Sequence, residues 1–203
     1  MYERRNIKVG SLVVALVGVF VMLLITVQPI YADVKTTDET TVTVTFNPGN
    51  IDLSQVPAFD FGTQDISAIE VAHLSTTATP VIITDLRGNG AGWKLNVSLS
   101  EFSCGEDQEG EAPASLLGSY ITIDDAVTEA INGTNASEPT NSDSIQINSD
   151  GSDTTIWDAA TDHGLGVWQL EWLAKDATLT VLPGTARATA NTATLTWTLQ
   201  DTP

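Results

Sequence analysis

The sequence predicts an all-β protein, an antiparallel β-sandwich or flattened barrel with long acidic loops. Three observations carry that expectation. Short segments alternate apolar and polar residues at period two, the longest being Trp93-Lys94-Leu95-Asn96-Val97-Ser98-Leu99 and Leu195-Thr196-Trp197-Thr198-Leu199. Asn, Asp, Gly and Pro punctuate the chain between such segments, as turns require. Only residues 124–132 and 155–161 have helical potential.

Taken in order, the chain opens with Arg4, Arg5 and Lys8, then an apolar run over residues 9–27, then Gln28-Pro29-Ile30-Tyr31-Ala32. A basic start, an apolar middle and a small residue at the end describe a secretory signal peptide over residues 1–32, cut after Ala32. Ile30 is larger than a signal peptidase favours three positions before the cut. The alternative is therefore an uncleaved anchor, since about 18 apolar residues nearly span a bilayer. No later stretch is apolar enough to do so.

Residues 33–203 form one further unit, within the usual size of a domain, about 100 to 200 residues. The whole chain carries a net charge of −18; without residues 1–32, which hold three of eight basic and one of 26 acidic residues, it carries −20. Such a charge argues against nucleic acid, whose phosphates need a basic face, and against anionic lipid. Anionic polymers would have to be held by neutral hydrogen bonds and aromatic stacking, by bridging cations, or through a protein partner. Cys104 is the single cysteine, so no intrachain disulfide forms and stability has to come from burial.

Along this unit, residues 33–38 read as a loose leader. Thr41-Val42-Thr43-Val44-Thr45-Phe46 reads as a strand closed by the turn Asn47-Pro48-Gly49-Asn50. Ile51-Asp52-Leu53 and Phe59-Asp60-Phe61-Gly62 read as short edge strands, and Val81-Ile82-Ile83 as a buried one. Residues 116–123, 144–147, 167–172 and 177–182 follow as strands, with Trp168, Leu170 and Trp172 sharing a face. The acidic residues crowd residues 101–111 and 124–162, which places charge on the connections.

The two Trp-x-Leu words carry a resemblance. The second ends the chain as Leu195-Thr196-Trp197-Thr198-Leu199 with Pro203 four residues on; the first follows Asp85-Leu86-Arg87-Gly88 and a glycine-rich turn. The chain resembles the WxL domain of cell-surface proteins from low-GC Gram-positive bacteria, over nearly all of residues 33–203. One position departs from the family pattern, Asn191 standing where Tyr is usual. The resemblance implies a secreted protein attached non-covalently to the cell wall, through peptidoglycan or another wall polymer. It implies as an alternative a structural subunit that binds other WxL proteins or membrane-anchored surface proteins instead.

Candidate wall-binding residues are Trp93, Leu95, Trp197 and Leu199 with their polar neighbours Lys94, Asn96, Thr196 and Thr198, and the pair Asp85 and Arg87. Both tryptophans fill a core on one reading and meet sugar rings on the other. Asp85 and Arg87 share a face of an extended backbone; they lock the turn as an ion pair, or Arg87 receives a carboxylate of a peptide stem. Residues 148–153 and Asp158 place oxygen side chains around Gly151 but lack the EF-hand order and closing Glu, so they read as an Asx-rich turn and no metal is expected. No cofactor and no catalysis are expected. His73 and His163 are the only histidines, no serine sits in a nucleophile elbow, and Asp124 and Asp125 point to opposite faces.

Overall fold

The computed structural model describes residues 38–105, 113–133 and 135–201. The signal peptide expected over residues 1–32 lies outside them. The chain divides into two units, residues 1–45 and 46–203. Of the first, the described residues carry no regular secondary structure and all are exposed. The expected strand does not form over residues 41–46: the alternation is there, but among the described residues no second strand bonds to it. Val42, Val44 and Phe46 are 93, 70 and 84 % exposed.

The second unit holds fifteen strands among the described residues. They are β1 (Ile51–Gln55), β2 (Val71–Leu74), β3 (Val81–Asp85), β4 (Trp93–Leu99), β5 (Phe102–Cys104), β6 (Ala114–Ser115), β7 (Tyr120–Asp124) and β8 (Val127–Ala130). Then come β9 (Thr140–Asn141), β10 (Ser144–Asn148), β11 (Asp153–Ala159), β12 (Gly166–Glu171), β13 (Ala177–Val181), β14 (Asn191–Thr192) and β15 (Leu195–Asp201). They form four antiparallel sheets, in the orders β1-β3-β12-β8, β10-β7-β13-β2, β15-β4-β11-β9 and β14-β5-β6. The sheets pack as a sandwich and do not close into a barrel.

Alternation decides which side chains meet. In β3, β7, β10, β12 and β13 the apolar residues Val81, Ile83, Ile121, Ile123, Ile145, Ile147, Trp168, Leu170 and Leu179 are buried and their neighbours are not, apart from a few small or polar exceptions. Together with Trp93, Leu95, Val97 and Leu99 of β4 they form one core.

Departures from the expected strands each have a local cause. Residues 155–159, read as potentially helical, lie in β11, whose bulge hides the period: Thr155 lies opposite Asn96 and Trp157 opposite Leu95, so Ile156 is an extra residue. Both Ile156 and Trp157 are consequently buried. Residues 124–132 turn at Asp125, where φ is 53°, and run back as β8 beside β12. Leu116 and Gly118 have φ of 48° and 74°, so the strand expected from residue 116 begins only at Tyr120. Residues 59–62 are not a strand; Phe61 stacks on Phe59 and Phe59 on Trp172, with centroids 6.2 and 6.0 Å apart. Charge is not confined to connections either, since Asp124, Glu129, Asp153 and Asp158 lie in strands, none of them buried.

The centre of the core is an edge-to-face pair, Trp93 and Trp157, with centroids 5.0 Å apart and planes at 83°. Gly164, at φ 70°, closes it: a Cβ there would stand 2.6 Å from Trp93 Nε1 and 2.7 Å from Ala159 Cβ. Replacing Trp157 by Ala is expected to destabilise the fold by about 3–5 kcal/mol. Gly164→Ala combines a clash with an unfavourable φ and should cost more than about 1 kcal/mol. Denaturant melts followed by tryptophan fluorescence measure both.

Candidate functional site

The two Trp-x-Leu words lie side by side. β15 runs antiparallel to β4 with Leu199 opposite Leu95, Trp197 opposite Val97 and Asp201 opposite Trp93. All the apolar residues of both words therefore share the inner face of one sheet. Their exposures differ. Trp93 and Leu95 are fully buried, and the Trp93 indole N–H donates to the Gly164 carbonyl at 3.3 Å. These two have no surface to offer a ligand. β15 is the last strand of its sheet, and Leu195, Trp197 and Leu199 are only half-buried. Leu195 and Trp197 line a cleft of about 1140 Å³ that Phe59, Phe61, Leu179 and Val181 also line.

Asp85 and Arg87 build the corner beside this sheet. Arg87 donates from Nε to Asp85 Oδ1 at 2.9 Å and from an Nη to Oδ2 at 2.7 Å, a bidentate pair in which the carboxylate is fully buried. The same nitrogen donates to the Ala91 carbonyl at 2.9 Å. The other Nη reaches Asp201 at the end of β15 at 2.6 Å. The Asp85 hydrogen bond, ahead of the two nearby charges, holds the guanidinium pKa above its ordinary value. The geometry is that of the structural ion pair. Each nitrogen of Arg87 has a partner among the described residues, the arrangement expected if the pair locks the turn.

The outer face of the sheet gathers the polar candidates. In cross-strand register Thr198, Asn96 and Thr155 form one row, and Gln200, Lys94 and Asp158 the next. Asn96 is buried; it donates to Gln200 Oε1 at 3.2 Å and accepts from the Thr155 hydroxyl at 2.7 Å. Lys94 lies 3.7 Å from Asp158, both partly exposed. Thr196 and Thr198 have hydroxyls with no partner among the described residues. Sequence reading missed Thr155 and Gln200 because the bulge hid β11 and because Gln200 stands after the last apolar residue. Asn191, at the position of the usual Tyr, turns its amide onto the carbonyls of Arg187 and Thr189 at 3.1 and 2.7 Å and so holds the turn before β15.

The oxygen-rich turn is an Asx turn: the Asp150 carboxylate accepts from the Ser152 backbone N–H at 2.9 Å and from its hydroxyl at 2.5 Å. Among the described residues no group of three or more His, Cys, Asp or Glu side chains is placed to hold a metal ion.

The sequence model of one family, described as WxL domain, surface cell wall-binding, matches residues 27–203. The chain belongs to the WxL family. No curated protein and no solved structure matches it. Membership places this WxL protein at the cell surface and makes attachment to the cell wall its function. In this WxL domain the first Trp-x-Leu is a core element, while the second has one face toward the cleft and its threonines toward solvent.

Removing Arg87 strands a buried carboxylate, so Arg87→Ala should cost about 3–5 kcal/mol. Arg87→Lys loses the bidentate geometry and should cost about 1–2 kcal/mol. Thermal melts check both; loss of wall binding by Arg87→Lys at an unchanged melting temperature would contradict the structural role. At Asp150 the Ser152 hydroxyl is the first cause, then its N–H, lowering the carboxyl pKa. A depressed folded pKa means a contribution present above the unfolded value and lost as pH falls through the folded one. Ser152→Ala should move that titration upward, as read from the Asp150 carboxyl carbon by NMR.

Proposed function

We propose that this WxL domain holds the wall through peptidoglycan, and that the outer face of β15, β4 and β11 makes the contact. The observation that carries the reading is the uncharged row Thr198, Asn96 and Thr155 on that face of a strongly acidic chain, flanked by Lys94 paired with Asp158 and, at the other end, by Asp153. Thr196, Thr198, Thr155 and Gln200 present hydroxyls and an amide at the spacing of paired strands, around the buried Asn96. Glycan hydroxyls and acetamido groups are matched by such groups without charge, which an anionic surface meeting anionic polymers requires.

On this reading the buried Asn96 holds Gln200 and Thr155 in place, and the free hydroxyls of Thr196 and Thr198 with the ammonium of Lys94 touch the polymer. Trp93 and Leu95 act by keeping β4 flat and fixed, Trp197 and Leu199 by seating β15 on it. Residues 1–32 serve as the secretory leader, and the exported domain works by binding, without catalysis.

The experiment is sedimentation with purified, protein-free sacculi. The double variant Thr196→Glu with Thr198→Glu keeps both side chains in solvent but adds repulsion; the bound fraction should fall about tenfold or more at an unchanged melting temperature. Undiminished binding by that variant would overturn the assignment of the face. Binding of the parent chain only when another surface protein is added would overturn direct attachment and favour the surface-complex role.

A further inference from the structure

We propose that residues 40–46 of one copy add as a strand to the free edge of β15 in a second copy, so that WxL domains link through their own chains. The edge comes first. β15 pairs with β4 alone, and the Ser100 N–H donates to the Thr194 carbonyl at 2.9 Å. Antiparallel alternation then turns the backbone groups of Thr194, Thr196 and Thr198 toward β4, and those of Leu195, Trp197 and Leu199 away from it. Three residues thus present N–H and C=O groups along an edge on which, among the described residues, no strand lies. An open edge of this kind is a template for strand addition.

The segment that fits it is on the same chain. Thr41, Thr43 and Thr45 alternate with Val42, Val44 and Phe46, β-branched and aromatic residues suited to a ladder. Among the described residues no strand pairs with them, and all three apolar side chains are exposed. β15 has the same alternation, Thr194, Thr196 and Thr198 against Leu195, Trp197 and Leu199. Placed beside it, Val42, Val44 and Phe46 would join the half-buried Leu195 and Trp197 on the cleft side, and the threonines would extend the outer polar face. A one-residue slip would turn the valines outward, so burial sets the register.

Charge selects the occupant. An acidic chain repels its own copies over most of its surface. No charged residue occurs between Glu39 and Asp52, nor between Arg187 and Asp201. The donor segment and the receiving edge are therefore two stretches along which copies of this molecule can approach without that repulsion. Such linkage is independent of which wall polymer is held.

The test is disulfide trapping with full-length chains in a Cys104→Ser background. Copies carrying Thr43→Cys are mixed with copies carrying Thr196→Cys or Thr198→Cys and oxidised. Directly opposed residues have Cβ atoms about 4.5–5.5 Å apart, within reach of a disulfide after slight adjustment. The expected result is a heterodimer whose yield drops about tenfold when Val44→Pro is added to the donor copy, since proline removes a ladder donor. Three results would overturn the proposal: a yield no higher than with Ser142→Cys as receiving copy, a yield indifferent to Val44→Pro, or bonding only inside a chain carrying both cysteines.

Discussion

Everything near the two Trp-x-Leu strands depends on β4 being hydrogen-bonded along both edges. It receives β15 on one side and β11 on the other, so its inner side chains Trp93, Leu95, Val97 and Leu99 are walled in by neighbours from both directions. With one cysteine in the chain there is no cross-link to substitute for this burial. The indole of Trp93 is the largest piece of it, held edge-to-face on Trp157 and capped by a glycine whose missing Cβ is the space it occupies. Packing at that density leaves no slack for a bulkier residue at position 164 and no vacancy for a smaller one at position 93.

The separate pieces of the WxL signature become one object in three dimensions. Asp85 ends β3, Arg87 and the glycines turn the chain, Trp93 starts β4, and Asp201 ends β15. One guanidinium touches the first, bends over the carbonyls of the turn, and grips the last. The motif is thus a corner joining two sheets. A corner of this kind dictates its residue types, with a planar fork for a buried carboxylate, small residues where the backbone bends, and a large aromatic where the strand enters the core.

Much of this was legible in the sequence, and the illegible parts share a cause. The strands β4, β10, β12, β13 and β15 announced themselves because one face is buried and the other wet, which writes a period of two, and β3 did so as a short unbroken apolar run. β11 did not, because its bulge shifts the pattern by one residue between Thr155 and Trp157. Residues 41–46 misled in the opposite direction: a perfect alternation records what a segment can pair with, and says nothing of whether a neighbour is present. The candidate residues Lys94, Asn96, Thr196 and Thr198 do fall on one face, as alternation requires. That the two tryptophans differ so much in exposure was not readable, since it depends on β4 being central and β15 terminal, and strand order is set by contacts far apart along the chain.

The contact between Arg87 and Asp201 spans 114 positions. β15 likewise reaches β4 from about a hundred residues away along the chain. Both contacts close large loops, so this sheet cannot form piecemeal from near neighbours, and its formation is slow by the standard of locally connected folds.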